Sequence, residues 1–200
     1  MNKGTTDTRS EIINAARTEF FAHGYEGARL QRIADQVGVT KAMIHYYFNT
    51  KKKLFEQVYG QSVEEIFGEL DDVLVRDLPL FKKIEQLVEY CLERAKTSSS
   101  VLSFVITESN RQTEWLQPIF EEQVQLGLAR FNDELETAAS NYEIASITAA
   151  DLLLNIFALC YYPVVAGPIN QSLLETSSIR EINSQRKGLI LDTILNWLTA

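Results

Sequence analysis

The stretch VGVTKAMIHYYF, Val37 to Phe48, decides how the chain begins. Met43, Ile44, His45, Tyr46, Tyr47 and Phe48 form an unbroken row. A helix built from them carries a large or apolar group in every direction. One face can enter a core, so the other needs a different partner. Just upstream, Leu30, Ile33, Ala34 and Val37 recur at helical spacing. Gly38-Val39-Thr40 then supplies a residue that accepts positive φ and a hydroxyl that can cap the next helix. Two short helices across such a turn read as a helix-turn-helix. Ala34 is small enough for a close crossing, and Ile44 and Phe48 face inward with Ile33 and Val37. Lys41, Ala42, Met43, His45, Tyr46 and Tyr47 are left for the outer surface. A DNA major groove offers that surface base edges, thymine methyls and phosphates.

Outward from this pair, the whole chain reads as helix. Toward the N-terminus, Thr8 and Glu11 form a capping box, Ile12, Ala16 and Phe20 stack at four-residue spacing, and Gly24 stops the helix. His23 is expected to interact with the terminal carbonyls. Toward the C-terminus, Asn49-Thr50 end the quoted helix. Thr50 caps a fourth, whose apolar stripe of Leu54, Val58, Ile66, Leu70 and Val73 runs to about Arg76. Further helices are expected at about 80–97, 101–111, 114–140, 146–165 and 181–198, about nine in all. The four prolines fall at or near starts, breaks or ends. The fold class is all-α: an N-terminal three-helix DNA-binding domain over 1–50, and a larger helical domain over 51–200.

The charge is distributed unevenly. Residues 1–59 hold nine Lys/Arg against six Asp/Glu, whereas 60–200 hold ten against twenty-one, which together make the net −8. A basic head on an acidic body is expected where only the head meets a polyanion. No basic, apolar leader opens the chain. Its longest apolar run, 152–166, contains Asn155 and Pro163 and falls short of the ~20 residues that span a bilayer. No membrane partner is expected. Cys91 and Cys160 stand apart within helical patterns, as buried thiols in a reducing cytoplasm do.

The segment RLQRIADQVGVTKAMIHYYFNTKKKLF, Arg29 to Phe55, resembles the DNA-binding signature of the tetracycline-repressor (TetR) family of bacterial transcription regulators. The resemblance rests on Ile33-Ala34, Gly38-Val39-Thr40-Lys41, the aromatic pair before Phe48, and Lys51 with Leu54-Phe55. It covers roughly residues 6–60; the remainder matches in architecture only. The family often has Gly, Tyr and His where this chain has Ala42, His45 and Tyr47, departures that bear on base preference rather than docking. Carried over by position, the resemblance implies that Lys41, Ala42, Met43 and His45 face bases. Arg29, Gln31, Thr40, Tyr46, Tyr47 and Lys51 are the implied phosphate clamps. Lys52 and Lys53 are read as solvated.

For the body, the resemblance implies a small-molecule sensor and a homodimer platform. Pocket candidates from the middle helices are Tyr90, Phe104, Ile106, Trp115, Phe120, Leu128, Asn155 and Tyr161, which point to an apolar or aromatic effector. The segments 146–165 and 189–198 are apolar almost all round, so each needs burial on two sides. Leu153, Phe157, Tyr161, Ile190, Ile194, Leu195, Trp197 and Leu198 are the expected dimer seam. An enzyme finds no support in the sequence. There is no Gly-x-Ser-x-Gly, phosphate loop or His-Glu-x-x-His, and both histidines lie in the head. No cofactor or metal is implied. The expectation is a cytoplasmic dimeric regulator, most simply a repressor, that binds a palindromic operator and is released by a small ligand. The alternative is a DNA-binding or protein-interaction module of the same fold without an effector.

Overall fold

The computed structural model describes residues 3–141, 143–174 and 179–199. Among these, twelve helices and no strands occur: α1 (Lys3–Gly27), α2 (Leu30–Val37), α3 (Lys41–Phe48), α4 (Lys51–Phe67), α5 (Leu70–Val75), α6 (Leu80–Thr97), α7 (Ser99–Arg111), α8 (Thr113–Gln123), α9 (Leu128–Ser140), α10 (Ala149–Val165), α11 (Gly167–Leu174) and α12 (Ile179–Leu198). The all-helical class stands as read. The larger helix number arises because two expected helices are interrupted and α11 is an addition. The stripe after Leu54 breaks at Gly68-Glu69 before α5 resumes with Leu70, Val73 and Leu74 buried. The expected 114–140 helix breaks before Gly127, whose N–H is captured by the Asp71 carboxylate. A Cβ at Gly127 would meet Val75 Cγ1 at 3.1 Å, so a bare backbone suits this close approach.

Helix starts differ in detail. α1 already runs from Lys3, which puts Thr8 inside the helix rather than at its cap. Thr148 Oγ1, by contrast, accepts the Asp151 N–H at 3.1 Å and caps α10. Gly24 breaks α1 as expected, with φ 62° and ψ −178°, a backbone region that side chains disfavour.

The chain divides into two compact units, residues 1–65 with 104–123, and residues 66–103 with 124–200. The first is organised on aromatic rings. Phe55 meets Phe20, Tyr25, Phe104 and Trp115 edge-on, with centroids 4.8–5.7 Å apart. Tyr59 is fully buried, and its hydroxyl bonds Ser109 Oγ at 2.6 Å. Glu108 is buried too, and accepts the Tyr25 N–H at 3.1 Å just beyond the Gly24 break. The second unit packs α10 and α12 on α6. Its buried face includes Leu87, Cys91, Leu152, Ile156, Cys160, Ile190 and Ile194, and both cysteines are free thiols. Lys83 is fully buried there, paired with Glu134 at 2.5 Å. No described helix is long and apolar enough to cross a membrane.

Candidate DNA-binding site

The turn between α2 and α3 follows from three residues. Gly38 takes φ 78°, and the Gly38 and Val39 N–H groups both donate to the Ala34 carbonyl, at 2.9 and 3.0 Å. Thr40 Oγ1 then accepts the Met43 N–H at 3.3 Å and starts α3. Ile44 and Phe48 are buried, with the Arg9 guanidinium 5.1 Å above the Phe48 ring. The opposite face exposes Lys41, Ala42, Met43, His45 and Tyr46, while Tyr47 is half-buried against Tyr46. Tyr46 is 78% exposed, far more than a ring of its size has on an ordinary core helix.

α3 ends in a feature absent from the sequence reading. Asn49 has φ 61° and ψ −56°, and Thr50 N–H donates to Phe48 O at 2.6 Å, which together make a γ-turn. The turn presents the Asn49 carbonyl to His45 Nδ1 at 2.9 Å. A carbonyl only accepts, so Nδ1 carries the proton and Nε2 of the neutral ring is left as an outward acceptor. Asn49 was recognisable as one of the few side-chain-bearing residues that tolerate positive φ.

The expected phosphate clamps are organised from α1. Glu19 Oε1 accepts the Arg29 backbone N–H at 2.8 Å and Arg32 Nε at 2.7 Å. Burial pushes the Glu19 carboxyl pKa up, but the Arg32 and Arg29 hydrogen bonds outweigh it and hold the group below its ordinary value. Arg29 Nη1 donates to the Glu26 carbonyl at 2.9 Å, and Lys51 Nζ reaches the same oxygen at 3.5 Å while lying 4.8 Å above the Tyr25 ring. Two cations thus converge on one neutral acceptor. Burial and the neighbouring Arg29 charge both lower the Lys51 pKa. Thr50 caps α4 by accepting the Lys53 N–H at 3.1 Å. Gln31 bonds Asp35 at 2.8 Å.

Other expectations change. Lys52 and Lys53 are exposed, Lys52 with its ammonium 4.6 Å above the Trp115 ring and Lys53 paired with Glu56 at 2.7 Å. His23 Nε2 sits 3.7 Å from Glu19, one turn back, rather than at the end carbonyls. Arg32, missed from sequence, joins the same Glu19 node.

The eight pocket candidates are divided between the two units. Phe104, Ile106, Trp115 and Phe120 belong to the first unit, and Tyr90, Leu128, Asn155 and Tyr161 to the second. Phe104 is core, packed on Phe21 and Phe55. Trp115 lines a groove of about 680 Å³ with Glu56, Gln57 and Glu64. Tyr90 lines a separate groove of about 830 Å³ with Glu69, Arg76, Glu93 and Arg94. Asn155 points outward on α10, on the exposed side. The apolar circumference of α10 and α12 is likewise divided. Leu153, Tyr161, Ile190, Ile194 and Leu198 are consumed inside the single chain, Phe157 and Leu195 are half-buried, and Trp197 is exposed. The outward apolar stripes are Leu154 and Tyr162 on α10 and Leu189 and Trp197 on α12. A side chain already covered by its own chain has no area left to share with another.

A glycine turn, a capped second helix and an exposed polar-aromatic face define a helix-turn-helix protein. Residues 12–58 match the model of "bacterial regulatory proteins, tetR family". It is 22% identical over 100 residues to the HTH-type transcriptional repressor KstR2 of Rhodococcus jostii. It is 35% identical over 69 residues to IcaR of Staphylococcus epidermidis, an HTH-type negative transcriptional regulator of the biofilm operon icaADBC. These matches cover 50% and 34% of this chain, and 49% and 35% of the two repressors. Over 96% of its length the chain shares a fold with SCO4942 of Streptomyces coelicolor, covering 98% of that chain, with a TM-score of 0.69 at 19% identity. The fatty acid degradation regulator FadR of Bacillus halodurans aligns over 92% of this chain and 97% of its own, with a TM-score of 0.59 at 17% identity.

Proposed function

We propose that the protein is a DNA-binding transcriptional regulator, not an enzyme. It acts in the cytoplasm as a homodimeric repressor on a palindromic operator and is released by a small-molecule effector. The observation that carries this reading is the outer face of α3. Lys41, Met43, His45 and Tyr46 are left wet there, and in the same unit Arg29 and Lys51 are two cations that share the Glu26 carbonyl oxygen. A phosphate replaces that shared neutral acceptor with a full negative charge and relieves the mutual repulsion. His45, with Nδ1 committed to Asn49, offers Nε2 to a base edge. Lys41, Ala42 and Met43 complete the base-facing set, and Gln31, Thr40, Tyr46 and Tyr47 flank it toward the backbone. Dimerisation fits the outward stripes of α10 and α12, which would join as a four-helix bundle.

The test is selection of bound sequences from a random duplex library by the purified protein. The expected product is a palindrome with half-sites roughly 34–36 Å apart. Lys41→Ala should then cost about 1–3 kcal/mol on the selected site and little on random DNA. A library that yields no enriched sequence, or equal losses on both DNAs, contradicts the reading.

A further inference from the structure

The γ-turn at the end of α3 has an effect one turn back. Helix carbonyls point toward the C-terminus, so the carbonyl of residue 49 would ordinarily face away from residue 45. At φ 61° and ψ −56° the Asn49 carbonyl instead turns back and meets His45 Nδ1 at 2.9 Å. Backbone bonds hold the turn on both sides. The Asn49 N–H donates to the His45 carbonyl at 2.8 Å, and the Thr50 N–H to the Phe48 carbonyl at 2.6 Å. A γ-turn with positive φ is the rare, strained form, and such strain collects at functional positions.

What the turn secures is one tautomer. A neutral imidazole carries its proton on either nitrogen, and the partner of one nitrogen decides the role of the other. The Asn49 carbonyl only accepts, so Nδ1 donates and Nε2 accepts. His45 is exposed, and among the described residues no carboxylate pairs with it and no hydrogen bond reaches Nε2. Lys41 and Ala42 lie on the same side of α3, at i, i+4 and i, i+3 spacing from His45.

An outward acceptor sorts the bases. In the major groove adenine presents one donor, its N6 amino group, and cytosine one, its N4 amino group. Guanine presents only the acceptors N7 and O6, and thymine the acceptor O4 beside its methyl. Nε2 can bond either amino group and faces a like lone pair on the other two bases. The Lys41 ammonium, which only donates, suits the opposite set.

We infer that His45 fixes one base of each half-site by accepting a hydrogen bond from the exocyclic amino group of an adenine or a cytosine on Nε2, and that the Asn49 turn sets the tautomer this needs. This rests on the DNA-binding reading above and gives one position of the operator its chemistry.

The test begins with nitrogen-15 NMR of the His45 ring in the full chain at pH 8, where an ordinary imidazole is neutral. The proton should sit on Nδ1. Selection from a random duplex library should then return, at one position of each half-site, adenine or cytosine on one strand, and which of them is enriched separates N6 from N4. His45→Ala should erase the preference at that position and leave the others intact. His45→Arg, whose fork only donates, should move it to guanine, a change that loss of structure cannot produce. On the selected site, purine in place of that adenine, or 2-pyrimidinone in place of that cytosine, should weaken the wild type roughly 3- to 10-fold and His45→Ala much less. If the base is adenine, 7-deazaadenine, which keeps N6 and loses N7, should bind as adenine does. A proton on Nε2, a guanine or thymine at the position that His45→Ala erases, or a selected site indifferent to His45 overturns the inference alone. A library that returns no enriched sequence overturns the DNA-binding reading and the inference with it.

Discussion

Trp197 gives the sharpest test of dimerisation. It is 51% exposed in the last turn of α12, beside the fully buried Leu198 that anchors the helix. A tryptophan buries up to about 250 Å² in all, so roughly 100 Å² of apolar surface remains for a partner. At about 25 cal/mol per Å² this is worth ~2.5 kcal/mol per copy. A two-fold interface uses it twice, so Trp197→Ala should remove ~5 kcal/mol, between three and four powers of ten in dissociation constant. Sedimentation velocity from nanomolar to tens of micromolar protein reads the shift directly. Near-UV dichroism and the melting temperature of the dilute variant check that the fold survives. A wild type that sediments as a monomer at tens of micromolar refutes the seam. So does a variant whose dissociation constant is unmoved.

Three further outcomes follow from the described contacts. Lys51→Ala should lower the salt slope of DNA binding by about two per dimer, one released phosphate contact per subunit, and an unchanged slope in a salt titration removes Lys51 from the clamp. Gly24→Ala forces a side chain into φ 62° and puts its Cβ 2.8 Å from Glu108 Oε1. It should cost about 1–3 kcal/mol in denaturant unfolding, and a neutral result contradicts the strain assigned to that break. Glu85 is held at about 2, below the ordinary 4.5, by hydrogen bonds from Lys187 and Lys82. Its contribution is therefore present above pH 4.5 and lost as pH falls toward 2. Stability of Glu85→Gln measured between those values should fall less steeply than wild type, and parallel curves exclude the effect.

Legibility followed the range of the interactions. Gly38, Thr40, Ile44 and Phe48 act within one or two turns of themselves, so spacing alone gave their roles and the exposed face of α3. The sharing of the Glu26 carbonyl by Arg29 and Lys51 depends on how three segments meet, and periodicity carries no trace of that. In α10 and α12 the pattern failed for a different reason. Where every face is apolar, adjacent residues such as Leu153 and Leu154 are equivalent in sequence, and only neighbouring helices decide which turns outward. Phe104 looks the same whether it lines a cavity or fills a core. Its contacts with Phe21, Phe55 and Tyr59 decide for the core.

The proline in α10 ties together two residues that no local rule connects. Because Pro163 has no N–H for the Leu159 carbonyl, Arg186 of α12 donates to it instead through Nη2 at 2.8 Å and is held to one register 27 positions away. Neither residue is then free to vary alone. Losing Arg186 with Pro163 in place leaves the part-buried Leu159 carbonyl without its donor, at a cost of about 1 kcal/mol. In a Pro163→Ala background the backbone has its own N–H, and the same loss should cost much less. The two positions form a thermodynamic cycle with a sizeable coupling term, and substitutions at one are conditioned on the identity of the other.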